Sequence, residues 1–441
     1  MEKVVNKESL SCFDSLYHGV ISRLFNRMED SRAENASYIM VDALRSGFAI
    51  YSLKCASLFS FRKRSQAEDS NLATVYGIGR IPTDNAKPDK LRQGFHDLFK
   101  RVRKIGVLDS YRYWNRHLIV SVDGVEHFCS KTINCKHCLQ RSHRDCSTSF
   151  YHAMLSAAIV HPDKKEVFVL DNEPIVQQDG AAKNDCERNA AQRLFGHLQS
   201  LYSKQHMVFV CDALYSCAPG LRKLGAVVRW EYIIAVKPDG HKSLFSQFED
   251  RVERGQAEWH TIEDEQGEHR FSYANDLALN DSNADVRVNM LYYEWIGNDG
   301  KVQVFSWVTS IKLTKANVYK VMRMGRSRWK IENETFNTLK NQSYNFEHNF
   351  GHGQENLCTV FAYLMMLAFY VDQIQQSSCR YFRIVLRELK ARAKLWESIR
   401  AVFKILPREN MAEVLISVAE MYQIKTGVIF KLRIAEKLCK S

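Results

Sequence analysis

Three acidic residues stand where they could bind divalent metal ions. Asp123 follows the β-branched run 117–122, and Asp212 follows a second such run at 207–211. Glu332 comes later, inside a stretch that we expect to be helical. Two acids at rigid strand ends can converge with a third on a helix. Mg²⁺ prefers carboxylate oxygens, and paired ions of this kind promote displacement at phosphorus. The three acids therefore predict a site for Mg²⁺ (or Mn²⁺) that cleaves or joins nucleic-acid phosphodiester bonds.

The third acid has a nearby competitor, Glu334. On a helix its side chain points about 200° away from that of Glu332, so only one of the two can enter the site. Glu332 lies four residues after Arg328 and shares a helix face with it. We favour Glu332 for this reason, although an ordinary surface ion pair between Arg328 and Glu332 would give the same spacing.

The composition favours a large, basic protein. The chain has 441 residues, 45% of them hydrophobic, with a formal net charge of +12 and a pI near 9.0. Such a charge favours a polyanionic partner through phosphate neutralisation, and a merely basic globular protein is the alternative. The first residues form no apolar signal region, so we expect a cytosolic protein. The longest apolar run, 357–370, is too short to span a bilayer and predicts a buried helix rather than a membrane partner.

Cysteine and histidine residues cluster shortly after Asp123. The cluster consists of Cys129, Cys135, Cys138, His143 and Cys146. Cys135 and Cys138 have the spacing of a zinc knuckle, and His143 or Cys146 could complete a tetrahedral site. Cys186 and His152 are further candidates, and unligated cytosolic thiols are the alternative. We expect any Zn²⁺ here to be structural.

The pattern along the chain divides it into five regions. Residues 1–112 are mainly helical, 113–224 alternate strands with helices, and 225–312 are rich in β-strands. Residues 313–375 carry Glu332 on a helix, and 376–441 form a basic helical region. Alternating strands and helices predict a mixed α/β domain, which the β-rich segment interrupts before the third acid.

Several motifs, in this order along the chain, resemble those of bacterial insertion-sequence transposases of the DDE class. The motif nearest the third acid is Arg328-Trp329-x-Ile331-Glu332, which is similar to that family's Tyr-Arg-Glu-Lys (YREK) signature. Further similar stretches are Asp123-Gly124, Cys135 to Leu139, Tyr151-His152, Glu173-Pro174-Ile175, Lys183 to Glu187 and Ile331 to Lys340. The resemblance covers about residues 10–370.

The resemblance implies a ribonuclease H-like core and a specific activity. Such an enzyme nicks the terminal inverted repeats of its own element and joins the 3′-hydroxyls to target DNA, working at least as a dimer. The resemblance also implies that Arg328 and Lys340 contact phosphate near the scissile bond. The helical region 1–112 and the basic C-terminal helices, with Arg383, Arg387 and Arg392, would bind double-stranded DNA.

The sequence departs from the family signature at two positions. The signature tyrosine would fall at Gly325, and the signature lysine at Leu339, one residue before Lys340. Two alternative functions stay open: a metal-dependent nuclease that does not join DNA, and a catalytically inactive DNA-binding derivative of a transposase.

Two other groups of residues have a structural and a functional interpretation. The tryptophans of the β-rich region are Trp230, Trp259, Trp295 and Trp307. The resemblance implies stacking on flipped bases, but burial in the sheet core is the better expectation for any one of them. The segment 348–353 contains two histidines, and we interpret it as a helix end and a loop rather than a metal-binding pair.

Overall fold

The fold is built on one large mixed β-sheet with helices against it. The structure is a computed structural model that describes residues 9–30, 39–79, 88–176, 186–353 and 355–424. The strands are β1 (Arg112–Trp114), β2 (His117–Ser130), β3 (Leu139–Ser142), β4 (Thr148–Val160), β5 (Phe168–Ile175), β6 (Met207–Cys211), β7 (Trp230–Ala235), β8 (Glu258–Asp264), β9 (Gly267–Ala278), β10 (Arg287–Gly297) and β11 (Val302–Thr309).

The centre of the sheet has the strand order β5-β4-β2-β6-β7. The strands β5, β4 and β2 pair antiparallel, whereas β2, β6 and β7 pair parallel. This is the arrangement of a ribonuclease H-like core, and the predicted fold class is confirmed. Both β2 and β6 are buried on their two faces, as expected of strands that helices cover on both sides. That burial explains why their sequences are continuous apolar runs.

The strand β4 was not predicted from the sequence. It is the central partner of β2 and β5, yet its buried half, 154–160, contains Ala157 and Ala158. Alanine has a low intrinsic preference for strands. The two neighbouring strands on either side, rather than local preference, hold this segment extended.

The β-rich region continues the same sheet. From β7 the order runs through β11, β10, β9 and β8, all antiparallel. The strand β7 falls within the predicted insertion 225–312, but its parallel pairing with β6 makes it part of the central sheet. The region also contains a helix of 12 residues, Lys242–Glu253, so it is not purely β.

The helices cover the sheet and pack on each other. They are α1 (Phe13–Leu16), α2 (Ser22–Asn26), α3 (Met40–Ser52), α4 (Leu58–Tyr76), α5 (Pro88–Ile105), α6 (Glu187–Tyr202), α7 (Ala218–Gly225), α8 (Lys242–Glu253), α9 (Val318–Arg326), α10 (Asn337–Asn341), α11 (Leu357–Ser378), α12 (Arg380–Leu389), α13 (Arg392–Ile405) and α14 (Met411–Met421). A π-helical turn, Ile331–Phe336, precedes α10.

The helix α11 is the central helix of the molecule. It packs against α3, α5 and β5. It is longer than the apolar run 357–370 and, among the described residues, is the one helix long and apolar enough to cross a membrane. Since 83% of its most apolar window is buried inside the protein, it has the surroundings of a core helix.

The N-terminal and C-terminal helices form one packed unit. Asp14 accepts hydrogen bonds from the backbone N–H groups of Met411 (2.9 Å) and Ala412 (3.1 Å) at the start of α14. Lys54, at the end of α3, forms a fully buried ion pair of 2.6 Å with Asp372 of α11. A carboxylate at a helix N-terminus satisfies otherwise unpaired N–H groups. These contacts join segments that are far apart in the sequence.

Candidate active site

The parallel pairing of β2 with β6 places two of the predicted acids side by side. The last paired residues of the two strands are Ser121 and Val210. Asp123 and Asp212 each lie two residues further on, at the same edge of the sheet. The Oδ1 atom of Asp212 also accepts a hydrogen bond of 2.9 Å from Leu214 N–H, which fixes its side chain at the start of a short 3₁₀ turn.

Arg328 connects the third acid to this edge. Its Nη1 donates to Asp123 Oδ2 at 2.8 Å and to Glu332 Oε1 at 2.6 Å. One nitrogen therefore holds the two carboxylates next to each other. Glu334 instead lies where its charge acts on Lys330. The structure thus brings together Asp123, Asp212, Arg328 and Glu332, and turns Glu332 rather than Glu334 towards Asp123.

The charges in this cluster are unbalanced. Burial, with a hydrogen bond to Glu332, raises the pKa of Asp123 to about 7 although Arg328 opposes this. Burial also acts against ionisation of Glu332, but hydrogen bonds with Asp123 and Arg328 bring its pKa below the ordinary value. The pKa of Arg328 is raised because the hydrogen bond to Glu332 and the nearby carboxylates outweigh its burial. Several carboxylates share one guanidinium, so the cluster has an excess of negative charge. Its oxygen donors and this charge suit a divalent cation.

Glu187 is a fourth carboxylate at this site, which the sequence analysis did not identify. It begins α6, and a Cβ atom placed on Gly124 would lie 2.9 Å from its Cδ, so the carboxyl group lies directly against the residue after Asp123. The hydroxyl of Tyr215 donates to it. Burial raises the pKa of Glu187; the Tyr215 bond opposes this and the charge of Asp212 adds to it. The sequence feature that could have identified Glu187 is the motif Lys183 to Glu187. Residues 183–185 of this motif lie outside the described residues.

The π-helical turn explains the position of Lys340. A π turn bonds residue i to i+5 and contains one residue more than an α turn, so a position that is seven residues after Glu332 in a regular helix becomes eight. Leu339 is fully buried, whereas Lys340 is on the surface and its Nζ contacts Glu347 Oε1 at 2.7 Å. The structure therefore places Lys340, not residue 339, on the solvent side of this segment.

Gly325 has no space for the tyrosine of the family signature. A Cβ atom at this position would lie 2.8 Å from Trp307 Cε2 and 3.2 Å from Ile233 Cγ2. The indole of Trp307 occupies the space that a side chain would need. The glycine at this position therefore allows α9 to pack closely against the sheet.

A basic cleft adjoins Asp212. Ala213 and Leu214 form one side, and Arg188, Lys237 and Lys242 contribute positive charge to its lining. A cleft of this charge can accommodate a nucleic-acid backbone. The basic cleft, which can bind phosphate, therefore lies beside the acidic edge of the sheet, which can bind metal.

The remaining predicted DNA-binding arginines lie on α12 and α13. Arg383 and Arg387 are exposed on α12, opposite the buried Phe382 and Val385. Arg392 begins α13, and its Nη1 donates to Gln342 Oε1 at 2.9 Å. These side chains form a basic face, on which Arg387 Nε lies 3.6 Å from Glu388 Oε1. No ion pair of the described residues links them to Asp123, Asp212 or Glu332.

The four tryptophans of the β-rich region differ in exposure. Trp230 and Trp307 are buried, Trp295 is half-buried, and Trp259 on β8 is 64% exposed. Burial in the sheet, the favoured expectation for each, holds for two of them. Trp259 has the exposure needed for a contact with a partner.

Four of the cysteine and histidine side chains form a second cluster, which contains the predicted Cys135 and Cys138 and the further candidate His152 but neither His143 nor Cys146. Cys135, Cys138, His152 and His352 place their ligand atoms within 4.8 Å of one another. His143 instead contacts Ser149 Oγ at 2.9 Å, and Cys146 is exposed. Cys129 and Cys186 are also exposed and outside the cluster.

The observed cluster differs from the predicted one because distant parts of the chain meet in the fold. His152 on β4 and His352 are distant from the cysteine pair in sequence, and only the sheet pairing and the loop before α11 bring them close. The segment 348–353 is a loop as predicted, but it is not a helix end, because α10 ends at Asn341. Its second histidine lies in this cluster, contrary to the favoured interpretation.

A family model matches this chain, and a solved structure is similar to it. Residues 147–369, a little over half of the chain, match the family model described as transposase DDE domain. The match includes Asp212 and Glu332 and begins after Asp123. No curated protein matches the sequence. A solved structure that is similar is the cryo-EM structure of the piggyBac transposase synaptic complex with hairpin DNA, at 11% identity and a TM-score of 0.41, covering 99% of this chain and 86% of that one.

Proposed function

We propose that this chain, which belongs to the transposase DDE domain family, cleaves the ends of a mobile DNA element and joins them to target DNA. The observation that carries the proposal is the cluster in which Arg328 bridges Asp123 and Glu332 beside Asp212. The family-model match confirms the predicted family at the level of a transposase with a DDE domain. Its bacterial origin and its assignment to the YREK group stay predictions.

The acids of this cluster are the proposed ligands of two Mg²⁺ or Mn²⁺ ions. Asp123, Asp212 and Glu332 supply hard oxygen donors, and Glu187, which lies against Gly124 beside Asp123, is proposed to support them. Ions bound in this way would activate a water or a 3′-hydroxyl and stabilise the leaving oxygen. A site of carboxylates with one guanidinium fits this requirement, because the cations supply the missing positive charge.

Arg328 is proposed to position the acids and to contact the scissile phosphate. Its guanidinium lies between Asp123 and Glu332, so a phosphate bound at these acids comes within its reach. Arginine presents a planar set of donors that matches phosphate geometry. Lys340, which the π turn returns to the surface, is proposed as a second phosphate contact.

DNA is proposed to reach the acids along the basic cleft and the basic face of α12. Lys237, Lys242 and Arg188 line the cleft beside Asp212, while Arg383 and Arg387 extend positive charge on α12. Contacts with phosphate supply much of the affinity for DNA and are independent of sequence. Terminal inverted repeats and target DNA are the proposed substrates.

Two further parts of the proposal rest on the family resemblance. We propose a homodimer, because both ends of an element must be held together before they are joined. We also propose that the protein acts on DNA in the cytoplasm of a bacterium.

The experiment is a strand-transfer assay with metal replacement. The substrate is linear DNA that carries the sequences flanking the gene for this protein, incubated with Mg²⁺ or Mn²⁺ and a target plasmid. Glu332→Gln and Asp212→Asn should abolish cleavage and joining. Glu334→Gln is the matched control and should keep both activities, because its side chain is turned away from Asp123.

The assay separates the three candidate functions. Cleavage with joining supports the transposase, cleavage alone supports the nuclease, and binding alone supports an inactive derivative. Mn²⁺ titration in the absence of DNA gives a second measurement: the wild type should bind more tightly than Glu332→Gln. Equal Mn²⁺ affinity in the two proteins would refute the assignment of Glu332 as a ligand.

A further inference from the structure

The second cluster, Cys135, Cys138, His152 and His352, has the size of a tetrahedral metal site. The Sγ atoms of Cys135 and Cys138 are 3.9 Å apart, and His152 Nε2 lies 3.4 Å from each of them. The distance from Cys138 Sγ to His352 Nε2 is also 3.4 Å. With Zn–S near 2.3 Å and Zn–N near 2.0–2.1 Å, a regular tetrahedron has S···S edges of about 3.8 Å and S···N edges of about 3.5 Å. The ligand atoms therefore surround a space suited to one zinc ion.

The local backbone supports this arrangement. Cys135 and Cys138 form a tight turn between β2 and β3, in which Cys138 N–H donates to Cys135 O at 3.1 Å and Cys135 N–H to Cys138 Sγ at 3.4 Å. N–H groups directed at a cysteine sulfur favour the thiolate form that binds metal. Two of the four ligands are thus held ready by local structure alone.

Two glycines allow His352 to reach the cluster. Gly351 and Gly353 have φ angles of +141° and +63°, which side chains with a Cβ atom rarely adopt. His352 lies between them and is buried, with its ring 4.4 Å from that of Phe128 at the end of β2. The loop therefore turns a histidine inward against the end of the strand that carries Asp123.

We propose that these four residues bind one structural Zn²⁺ that links two parts of the active site. Cys135, Cys138 and His152 belong to the β2–β4 hairpin, which carries Asp123. His352 belongs to the loop between α10 and α11, directly after the segment that carries Glu332. A tetrahedral site of two thiolates and two imidazoles with no open position suits structural zinc. Separation of the ligand atoms by at most 4.8 Å suits one ion rather than a cluster of irons.

The link has a consequence for the position of Glu332. The Glu332 segment is held at its start by the hydrogen bond from Ser121 Oγ to Arg328 O, of 2.9 Å. A zinc ion at His352 would hold the chain after its end to the same strand system. The zinc assignment is independent of the proposed function, whereas its role in positioning Glu332 rests on that function.

The first test is the metal content of the purified full chain. Elemental analysis should find about one zinc per chain, and Co²⁺ exchanged into the site should show the absorption of tetrahedral cobalt with thiolate charge-transfer bands. Cys138→Ser and His352→Ala should lose the metal. His143→Ala and Cys146→Ser are matched controls from the same region and should keep it.

Each of the other outcomes contradicts the assignment. Wild-type protein that lacks zinc and gives no tetrahedral cobalt spectrum overturns the site, as does a disulfide between Cys135 and Cys138 in the freshly purified protein. Zinc retained in both ligand variants, or lost in His143→Ala, overturns the ligand set. Because the cobalt spectrum is measured on the wild type, a variant that fails to fold does not decide the outcome.

The second test measures the link itself without any activity. Hydrogen exchange is compared before and after zinc is removed by a chelator. Exchange should rise in residues 345–353 and in 331–341, and stay unchanged in α14, which packs far from the cluster in the N-terminal and C-terminal helical unit. Unchanged exchange in 331–341 after zinc loss would refute the positioning role while leaving the zinc site intact. Failure of the strand-transfer assay would affect only the proposed function.

Discussion

The hydroxyl of Ser121 donates a hydrogen bond to the backbone carbonyl of Arg328, 2.9 Å away. Ser121 is fully buried in β2, two residues before Asp123, and Arg328 is four residues before Glu332. The bond therefore fixes the spacing between β2, which carries Asp123, and the segment that carries Glu332. Small changes in such spacing affect catalysis strongly, because metal ligands must keep their geometry.

Replacing this serine should harm catalysis more than DNA binding. Ser121→Ala removes a buried hydrogen bond and should cost about 0.5–1.5 kcal/mol of stability. It should lower the rate of DNA cleavage while affinity for end DNA stays the same. Thermal unfolding, cleavage rate and DNA affinity are measured on the same preparations. Ser142→Ala, at an exposed position in β3, is the control, and a cleavage rate equal in both variants would contradict the prediction.

Glu187 can be tested through its contact with Gly124. Glu187→Gln should weaken Mn²⁺ binding by about 10- to 100-fold, the usual effect of losing a residue that supports metal ligands. Gly124→Ala should act in the same direction, because its Cβ atom would lie 2.9 Å from the Glu187 carboxyl carbon and displace it.

The control for this pair is Gly225→Ala, where a Cβ atom would meet nothing within 4 Å. Calorimetric titration with Mn²⁺ compares all three variants with the wild type. If Mn²⁺ affinity is unchanged in Glu187→Gln, Glu187 is a structural partner of Tyr215 and not part of the metal site.

Removing the charge of one acid should separate chemistry from DNA binding. Asp123→Asn leaves the basic cleft and α12 intact, and these surfaces are the proposed source of the phosphate contacts. The variant should bind end DNA at least as well as the wild type and should lose cleavage and joining. Binding is measured across a salt series and strand transfer on the same DNA. Strand transfer that persists would remove Asp123 from the metal site.

The basic face of α12 and α13 should determine part of the salt dependence. Neutralising Arg383, Arg387 and Arg392 together should weaken DNA binding. It should also make the slope of log affinity against log salt shallower by up to about 2.7, because each phosphate that the protein no longer neutralises removes about 0.9 from the slope. Cleavage at saturating DNA should change little.

The matched control neutralises three exposed cations elsewhere, Lys131, Arg254 and Lys315. It removes the same charge without touching α12 or α13. If both triple variants change the slope equally, the effect comes from net charge alone. The arginines would then be a solvated face of the helix rather than a DNA-binding surface.

The sequence by itself determined the elements with strong local patterns. The strands around 117–122 and 207–211, which carry Asp123 and Asp212, followed from continuous apolar runs, because parallel strands that are covered on both faces need such runs. Glu332 was preferred over Glu334 from helical spacing alone, and the arrangement with Arg328 agrees with that preference. Motif order, rather than composition, indicated the DDE family.

Tertiary structure alone decided the features that depend on distant pairing. The strand β4 has weak local preference and is extended because β2 and β5 flank it. Glu187 reaches Gly124, the residue after Asp123, only because α6 packs against β5 and β4, and the π turn that shifts Lys340 by one residue leaves no clear pattern in the sequence.

The cysteine cluster shows the same limit. Cys135 and Cys138 were identified by their spacing, since ligands on one turn are close in sequence. His152 was only a further candidate and His352 was not assigned, because a ligand set is chosen by distance in space: a strand pairing and a loop with two left-handed glycines bring these residues together. The sequence thus identified the ligands that lie close together along the chain, and the fold determined which distant residues join them.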